Sequence, residues 1–216
     1  MTINDTGLHA KIVSMVNALI PSTTHEYIFI LGRAGELCLA EAKAIIEQYS
    51  HDYKIVFSSS EILHFTVSNE LPIRDLIETL GGTIKIAKVM VTIPGADMEK
   101  IAVMAEELLS KRIINGKILF GISIYNSGKL LPAQIAEAIK ENLRKRDISS
   151  RYVVNGREPL TSVQVVKHGL QEIILLVEEE NVVLGKRWRF RILRTGENGI
   201  MVGRKFIRTR GCCRRK

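Results

Sequence analysis

The sequence contains little of what marks several protein classes. Its 3 cysteines are an odd number, and two of them, Cys212 and Cys213, are adjacent. That arrangement suits neither a disulfide framework nor a zinc site, so we expect a reducing, cytoplasmic location. No apolar run approaches the roughly 20 residues that a membrane-spanning helix needs, and the 5 histidines share no metal-ligand spacing. We therefore expect neither a membrane nor a metal as a partner.

Motifs for catalysis are missing as well. The loop Gly32-Arg-Ala-Gly35 is not a GxGxxG sequence, and we interpret it as a turn between a strand and a helix. No Ser/His/Asp or Cys/His set stands out, and His64 is interpreted as a half-exposed residue of an alternating strand. The sequence has no Asn/Asp-Pro-Pro-aromatic motif and no glycine loop that fits S-adenosylmethionine. We predict no catalytic, cofactor-binding or metal-binding residue in this chain.

Positive charge is concentrated at one end of the chain. The sequence carries 31 Lys/Arg and 23 Asp/Glu, a net charge of +8. The 30 residues from Arg187 to Lys216 hold 11 of the basic and 1 of the acidic residues, which leaves 20 basic and 22 acidic residues before them. Because this segment has no apolar period and its charges repel one another, residues 187–216 are predicted to form a disordered basic tail.

Hydrophobic periodicity predicts two α/β units after a weakly specified lead-in segment, residues 1–25. Residues 26–94 show the order strand, helix, strand, strand, helix, strand, which is the ferredoxin-like arrangement with both helices on one face of an antiparallel sheet. Pro94-Gly95 marks a boundary. In residues 95–186, three helices alternate with strands that end in two apolar segments. We predict an α+β fold with antiparallel or mixed sheets in the two units.

The most specific motif is Thr161-Ser-Val-Gln-Val-Val-Lys-His-Gly-Leu170, followed by the apolar strand Glu172-Ile-Ile-Leu-Leu-Val177. It resembles the THUMP domain, an RNA-binding module of tRNA-modifying enzymes, in which a Ser-Val-x-Val-x-Lys-Asn helix precedes such a strand. His168 stands where the family has Asn. The strand Phe120-Gly-Ile-Ser-Ile-Tyr125 and the segment Leu31-Gly-Arg-Ala-Gly-Glu-Leu37 resemble one group in particular. That group is the THUMP-containing tRNA guanosine N2-methyltransferases, with a ferredoxin-like domain before the THUMP domain.

This resemblance implies a tRNA partner and a set of RNA-binding residues. Phosphate contacts need Lys, Arg and the free N–H groups that are concentrated at helix N-termini. The predicted RNA-binding residues lie around two helices: Arg144, Lys145, Arg146, Arg151, Arg157, Ser162, Lys167 and His168. Basic residues at a helix C-terminus can instead complement the helix dipole, which is the alternative interpretation of residues 144–146.

The tail has a second interpretation that rests on the same family. There the THUMP domain ends in Gly-Lys-Thr-Val-x-Val-Gln-Asp-Ile-Glu, whereas this chain has Gly185-Lys186 followed by RWRFRILR. When the codons after Lys186 are shifted by one base, the genetic code permits the string TVAVQDIE. We therefore favour the hypothesis that the tail is a frameshifted linker, and that the catalytic domain is missing. A genuine arginine-rich RNA-binding tail is the alternative.

Three functions remain under consideration. The first is the tRNA-binding portion of an S-adenosylmethionine-dependent tRNA guanosine N2-methyltransferase, inactive on its own because the cofactor belongs to the catalytic domain of the full-length family. The second is a stand-alone THUMP-type adapter that presents tRNA to a separate methyltransferase domain or subunit. The third is a ferredoxin-like regulator that senses a small molecule and has no RNA role.

Overall fold

The computed structural model describes residues 24–111, 117–126, 130–154, 159–190, 192–195, 199–202 and 205–208. The helices of these parts are α1 (Gly35–Tyr49), α2 (Ile73–Thr79), α3 (Met98–Ser110), α4 (Pro132–Lys145) and α5 (Ser162–His168). The strands are β1 (His25–Leu31), β2 (Lys54–Ser58), β3 (Ile62–Val67), β4 (Thr83–Pro94), β5 (Lys117–Tyr125), β6 (Ser149–Tyr152), β7 (Gln171–Glu178), β8 (Asn181–Phe190), β9 (Ile192–Thr195), β10 (Gly199–Val202) and β11 (Lys205–Arg208).

The first unit consists of β1 to β4 with α1 and α2. Its strands lie in the order β2-β3-β1-β4, and every pair is antiparallel, as a ferredoxin-like unit requires. Alternation along β1 sends Tyr27 and Phe29 into the core beneath the two helices. The Glu41 carboxylate of α1 accepts hydrogen bonds from the N–H groups of Gly81 and Gly82, at 2.7 Å each, and so ties α1 to the turn after α2.

The second unit consists of α3, β5, α4, β6, α5, β7 and β8. β5 lies between β6 and β7 and is parallel to both, and β7 is antiparallel to β8. Asp97 caps α3 as its sequence predicts, because its side chain accepts the N–H groups of Glu99 and Lys100. Pro132 lies in the first turn of α4, where no intrahelical donor is lost. The predicted α+β fold class is confirmed, with a ferredoxin-like unit followed by a second unit of alternating helices and strands.

The two units share one sheet. β4 pairs with β8 along its length, from Lys85 opposite Phe190 to Pro94 opposite Asn181. The result is a continuous eight-stranded mixed sheet in the order β2-β3-β1-β4-β8-β7-β5-β6, where the sequence predicted sheets for each unit without predicting their union. Gly95 has φ +71°, which fits the predicted turn after β4. The division into two domains at that turn stays a prediction.

The sheet has two different faces. Helices α1 to α4 cover the outer face, over two apolar cores. On the other side His64 of β3 contacts Glu178 of β7, although β1, β4 and β8 lie between these strands in the sheet. The sheet must therefore curl around this side, which we call the inner face. Its apolar cluster includes Ile28, Ile174 and Val183.

The end of the described chain differs from the predicted disordered tail that begins at Arg187. β8 continues to Phe190 and stays paired with β4, with a register shift between Ile86 and Ala87, and the Arg187 side chain is only 5% exposed. Further on, β9, β10 and β11 form a separate antiparallel sheet, with Ile200 opposite Arg194 on one side and Ile207 on the other. The predicted lead-in segment lies almost entirely outside the described residues.

Candidate nucleic-acid interface

Three helices end at one edge of the sheet. α3, α4 and α5 are followed along the chain by β5, β6 and β7, which run in the same direction. Parallel strands begin at the same edge, so the carboxyl ends of the three helices gather there. We call this region the basic edge, because its exposed side chains include Lys111, Lys117, Arg144, Lys145, Arg146, Arg151, Lys167 and His168.

The end of α4 supplies three of these side chains. Arg144 forms an ion pair with Glu141 at 2.8 Å, but its side chain is 79% exposed, and exposed pairs of this kind contribute little. Lys145 is exposed as well. Arg146 differs, since its guanidinium contacts the fully buried Glu106 carboxylate of α3. Arg146 therefore helps to hold two helices together, in addition to its predicted role in RNA binding.

The flank of α4 is electrically mixed. Lys140 pairs with Glu137 at 3.2 Å, and Arg144 with Glu141. These four residues, with the start of β6, line a shallow depression of about 230 Å³. Because acidic partners alternate with the cations there, the positive charge along the side of the helix is offset, and the excess lies at its C-terminal end, at Lys145 and Arg146.

The N-terminal end of α5 is capped by the side chains of Thr161 and Gln164. The Thr161 hydroxyl accepts the Gln164 N–H at 3.3 Å, and the Thr161 N–H donates to the Gln164 side-chain oxygen at 2.8 Å, a capping box. Ser162 is 5% exposed, and its hydroxyl has no hydrogen-bond partner among the described residues. The side chain of this predicted RNA-binding residue therefore faces inward, where a phosphate does not reach it.

The C-terminal end of α5, in contrast, carries exposed basic side chains. Lys167 and His168 are exposed in its last turn, and Gly169, with φ +61°, terminates the helix. Arg151 is exposed on β6, two residues after that strand begins. The C-terminal ends of α4 and α5 and the start of β6 thus bring Arg151, Lys167 and His168 to the edge that also holds residues 144–146. Arg157 lies outside the described residues.

A buried polar network on the inner face was not predicted from the sequence. The fully buried Glu172 carboxylate of β7 accepts hydrogen bonds from Lys85 Nζ at 2.6 Å and from Arg187 at 2.5 Å. The Ser123 hydroxyl donates to the same carboxylate at 2.5 Å. Burial lowers the pKa of Lys85, and Arg187 acts in the same direction, while Glu172 opposes both. Lys85 and Arg187 thus share one buried carboxylate.

The Lys85 ammonium also reaches the backbone that leads to α5. It donates to the carbonyl oxygen of Leu160 at 2.5 Å and to the Tyr125 hydroxyl at 3.2 Å. The Leu160 N–H donates in turn to the Ser123 hydroxyl at 2.9 Å. These pairings join residues 37 to 87 positions apart and have no local pattern. The only hint of them in the sequence is the presence of basic and acidic residues within apolar strands.

His64 corrects the prediction of a half-exposed sheet residue. It is 1% exposed, with Nδ1 at 2.5 Å from the Glu178 carboxylate and Nε2 at 2.6 Å from that of Glu26. Burial alone would lower the His64 pKa, but the hydrogen bonds and charges of Glu178 and Glu26 outweigh it and raise the pKa to about 9. His64 is therefore an imidazolium at neutral pH that links β1, β3 and β7 across the inner face.

The described residues form neither a metal-binding cluster nor a membrane-spanning helix. No three of their His, Cys, Asp and Glu side chains are arranged to hold a metal ion. None of their helices has both the length and the apolar character to cross a membrane.

Comparison with known proteins gives likeness in structure only. No protein-family model and no curated protein matches the sequence. Among solved structures, the chain is similar to PH1313 from Pyrococcus horikoshii Ot3, with 16% identity over 75% of this chain and 53% of that one and a TM-score of 0.48. TrmN from Thermus thermophilus is 10% identical to this chain, over 77% of this chain and 46% of that one, with a TM-score of 0.45. A 4-thiouridine synthetase in complex with RNA and ATP is 14% identical to this chain, over 77% of this chain and 41% of that one, with a TM-score of 0.44. The chain thus spans about half the length of these proteins.

Proposed function

We propose that this chain is the tRNA-binding part of an S-adenosylmethionine-dependent tRNA guanosine N2-methyltransferase, without the domain that performs the chemistry. The observation that supports the proposal best is the basic edge. Residues 1–186 have slightly more acidic than basic residues, yet exposed cations from three helix–strand connections gather at one edge of the sheet. Recognition of the RNA backbone requires cations concentrated at one surface, and this edge provides them although the charge of residues 1–186 is nearly balanced.

The motif of α5 adds a second line of support. The residues that match the THUMP pattern include Lys167, and this side chain lies exposed at the basic edge. Val165 of the same motif is buried beneath the helix. The motif thus divides into a residue that packs and a residue that faces solvent, as expected of a helix that presents a cation to a ligand. In this proposal the chain's task is to position the substrate, and the cofactor is held elsewhere.

A stand-alone tRNA-binding adapter is the second candidate, and Arg187 favours it. If the chain were out of frame from codon 187, Arg187 would be an accidental residue. It nevertheless makes a buried ion pair with Glu172. The frameshift hypothesis stays a proposal. Sequencing the coding DNA tests it, because a shift requires a methyltransferase-like continuation, with a glycine-rich cofactor loop, one base out of frame beyond codon 186.

The experiment that tests tRNA binding compares two triple variants of the full chain. The first, Arg144→Gln/Lys145→Gln/Arg151→Gln, removes three exposed cations of the basic edge and spares Arg146, which contacts buried Glu106. The matched control, Arg33→Gln/Lys54→Gln/Arg74→Gln, removes three exposed cations of the ferredoxin-like unit. Both keep the tail, so the unselective affinity of the tail cancels in the comparison.

Affinity for tRNA is measured as a function of salt concentration. Each lost phosphate contact is expected to reduce the slope of log K against log salt by about 0.7 to 0.9. The basic-edge variant should therefore bind more weakly with a flatter slope, while the control resembles the unaltered chain. Equal slopes in all three proteins would refute the basic edge as the binding surface, and an absence of tRNA binding would favour the small-molecule regulator.

A further inference from the structure

Leu160 is held more firmly than its place in a connecting segment requires. Its N–H donates to Ser123 and its carbonyl accepts from Lys85. Its side chain packs against Gly121 so closely that a Cβ at that position would lie 2.2 Å from a Leu160 methyl carbon. Both backbone polar groups and the side chain of one residue are therefore fixed by β4 and β5.

The helix that follows has few other anchors. α5 has 7 residues, too few for a helix to be stable by itself in water. Its buried apolar cluster consists of Leu160, Val165 and Leu170, with Leu119 and Val153 packed against it. Leu160 directly precedes the N-cap Thr161, so the position of Leu160 sets the point from which α5 starts.

We infer that Lys85, a residue of the ferredoxin-like unit, is a positioning residue for RNA binding by α5. Its ammonium is held by Glu172 and donates to the Leu160 carbonyl, which fixes α5 and thereby directs Lys167 and His168 to the basic edge. The ferredoxin-like unit thus acts on the RNA site through one buried contact. This inference rests on the proposed function for its RNA part, while its structural part can be measured without RNA.

Charge and burial explain why a lysine suits this place. The ammonium has three donors, and the structure gives it three acceptors, the Glu172 carboxylate, the Leu160 carbonyl and the Tyr125 hydroxyl. A buried network in which each member is satisfied is rigid, and the loss of one member disturbs the others. The contact with Leu160 is the one that leads out of the network toward the surface.

The test uses the full chain with the variants Lys85→Met and Lys88→Met. Both lysines are on β4 and the charge change is the same, but Lys88 is partly exposed and pairs with the exposed Glu70. Amide hydrogen exchange is followed in residues 159–170. In Lys85→Met we expect about tenfold faster exchange there and roughly three- to tenfold weaker tRNA binding with a flatter salt slope. Lys88→Met should change neither quantity appreciably.

A second variant separates positioning from general instability. Lys85→Met/Glu172→Gln/Arg187→Met removes the buried carboxylate together with both of its cations, so it should recover thermal stability relative to Lys85→Met. It still lacks the donor to Leu160, so fast exchange in α5 and weak tRNA binding should persist. If Lys85→Met alone does not fold, this triple variant carries the comparison.

The possible outcomes are distinct. Unchanged exchange in residues 159–170 would overturn the positioning role, whatever the RNA result. Faster exchange with unchanged tRNA affinity would show that α5 is not part of the RNA site and would overturn the inference while leaving the proposed function intact. Faster exchange in a chain whose unaltered form binds no tRNA would refute the proposed function, and with it the RNA part of the inference.

Discussion

Phe65 and His64 are neighbours on β3, and they lie on opposite faces of the sheet. Phe65 is fully buried on the outer face among three aromatic rings, with centroids 5.0 to 6.4 Å away. His64 is equally buried on the inner face, between two carboxylates. The outer face is closed by helices over apolar side chains, whereas the inner face combines an apolar cluster with two ionic groups, around His64 and around Glu172.

The two faces teach different lessons about how burial is stabilised. On the outer face a side chain contributes through apolar area and packing, which do not depend on pH. On the inner face, charges taken out of water are tolerable only because each has an opposite charge within hydrogen-bond distance. Substitutions on the two faces should therefore differ in how much they change the free energy of unfolding, in how that change depends on pH, and in how far their effects extend from the substituted residue.

The largest effect is expected from Phe65→Ala on the outer face. The substitution removes a fully buried ring and leaves a cavity, so it should lower the free energy of unfolding by about 3 to 5 kcal/mol. Denaturant titration measures it. Ile55→Ala is the control, because Ile55 pairs with Phe65 in the sheet register but is 41% exposed; its cost should be about 0.5 kcal/mol or less. Similar costs at both sites would show that the outer core is loosely packed.

The inner face should show pH dependence through His64. Its pKa rises from 6.5 to about 9 on folding, so the folded state holds a proton that the unfolded state releases between these values. The stabilisation is fully present below pH 6.5 and is lost as the pH rises through 9. By linkage the loss is roughly 3 kcal/mol.

His64→Gln is the matched variant for this measurement. Glutamine keeps a hydrogen-bond donor between the two carboxylates but does not titrate. The free energy of unfolding of the unaltered chain should fall between pH 6.5 and 9 relative to that of His64→Gln. Parallel pH profiles for the two proteins would mean that His64 is neutral in the folded state.

The smallest effect is expected from the removal of helix caps. Thr161→Ala on α5 and Asp97→Ala on α3 should each cost about 1 kcal/mol. The consequences should differ in extent, because α3 buries eight of its residues whereas α5 buries two. In Thr161→Ala, hydrogen exchange should become faster in α5 than in the rest of the protein. In Asp97→Ala, exchange in α3 should become faster only as much as it does in the rest of the protein. Equal local opening of both helices would contradict the view that α5 depends on its anchors.

Much of the fold could be predicted because its signals are local. The apolar runs of β1 and β3, the cap Asp97 and Pro132 in the first turn of α4 each depend on residues a few positions apart. The union of the units by β4 and β8 depends on residues nearly 100 positions apart, and no periodicity encodes it. The same holds for Arg187, whose charge indicated a solvated tail and whose burial depends on Glu172.

The candidate site was predictable to the same degree. The motif around α5 and the run from Arg144 to Arg146 identified exposed cations from sequence alone. The sequence did not distinguish Arg144 from Arg146, because the buried Glu106 is on another helix. It also pointed to the side chain of Ser162, which faces inward, since a motif records residue types and not the direction of each side chain.

The place of β8 has a consequence for synthesis. This strand is the last of the eight-stranded sheet to leave the ribosome, yet it lies in the middle, between β4 and β7. Until it emerges, β4 and β7 each present an open edge that can pair with another chain. A nascent chain that stops before Asn181 is therefore expected to hold two partial sheets with an aggregation-prone gap between them, and insertion of β8 should be the step that completes the body of the protein.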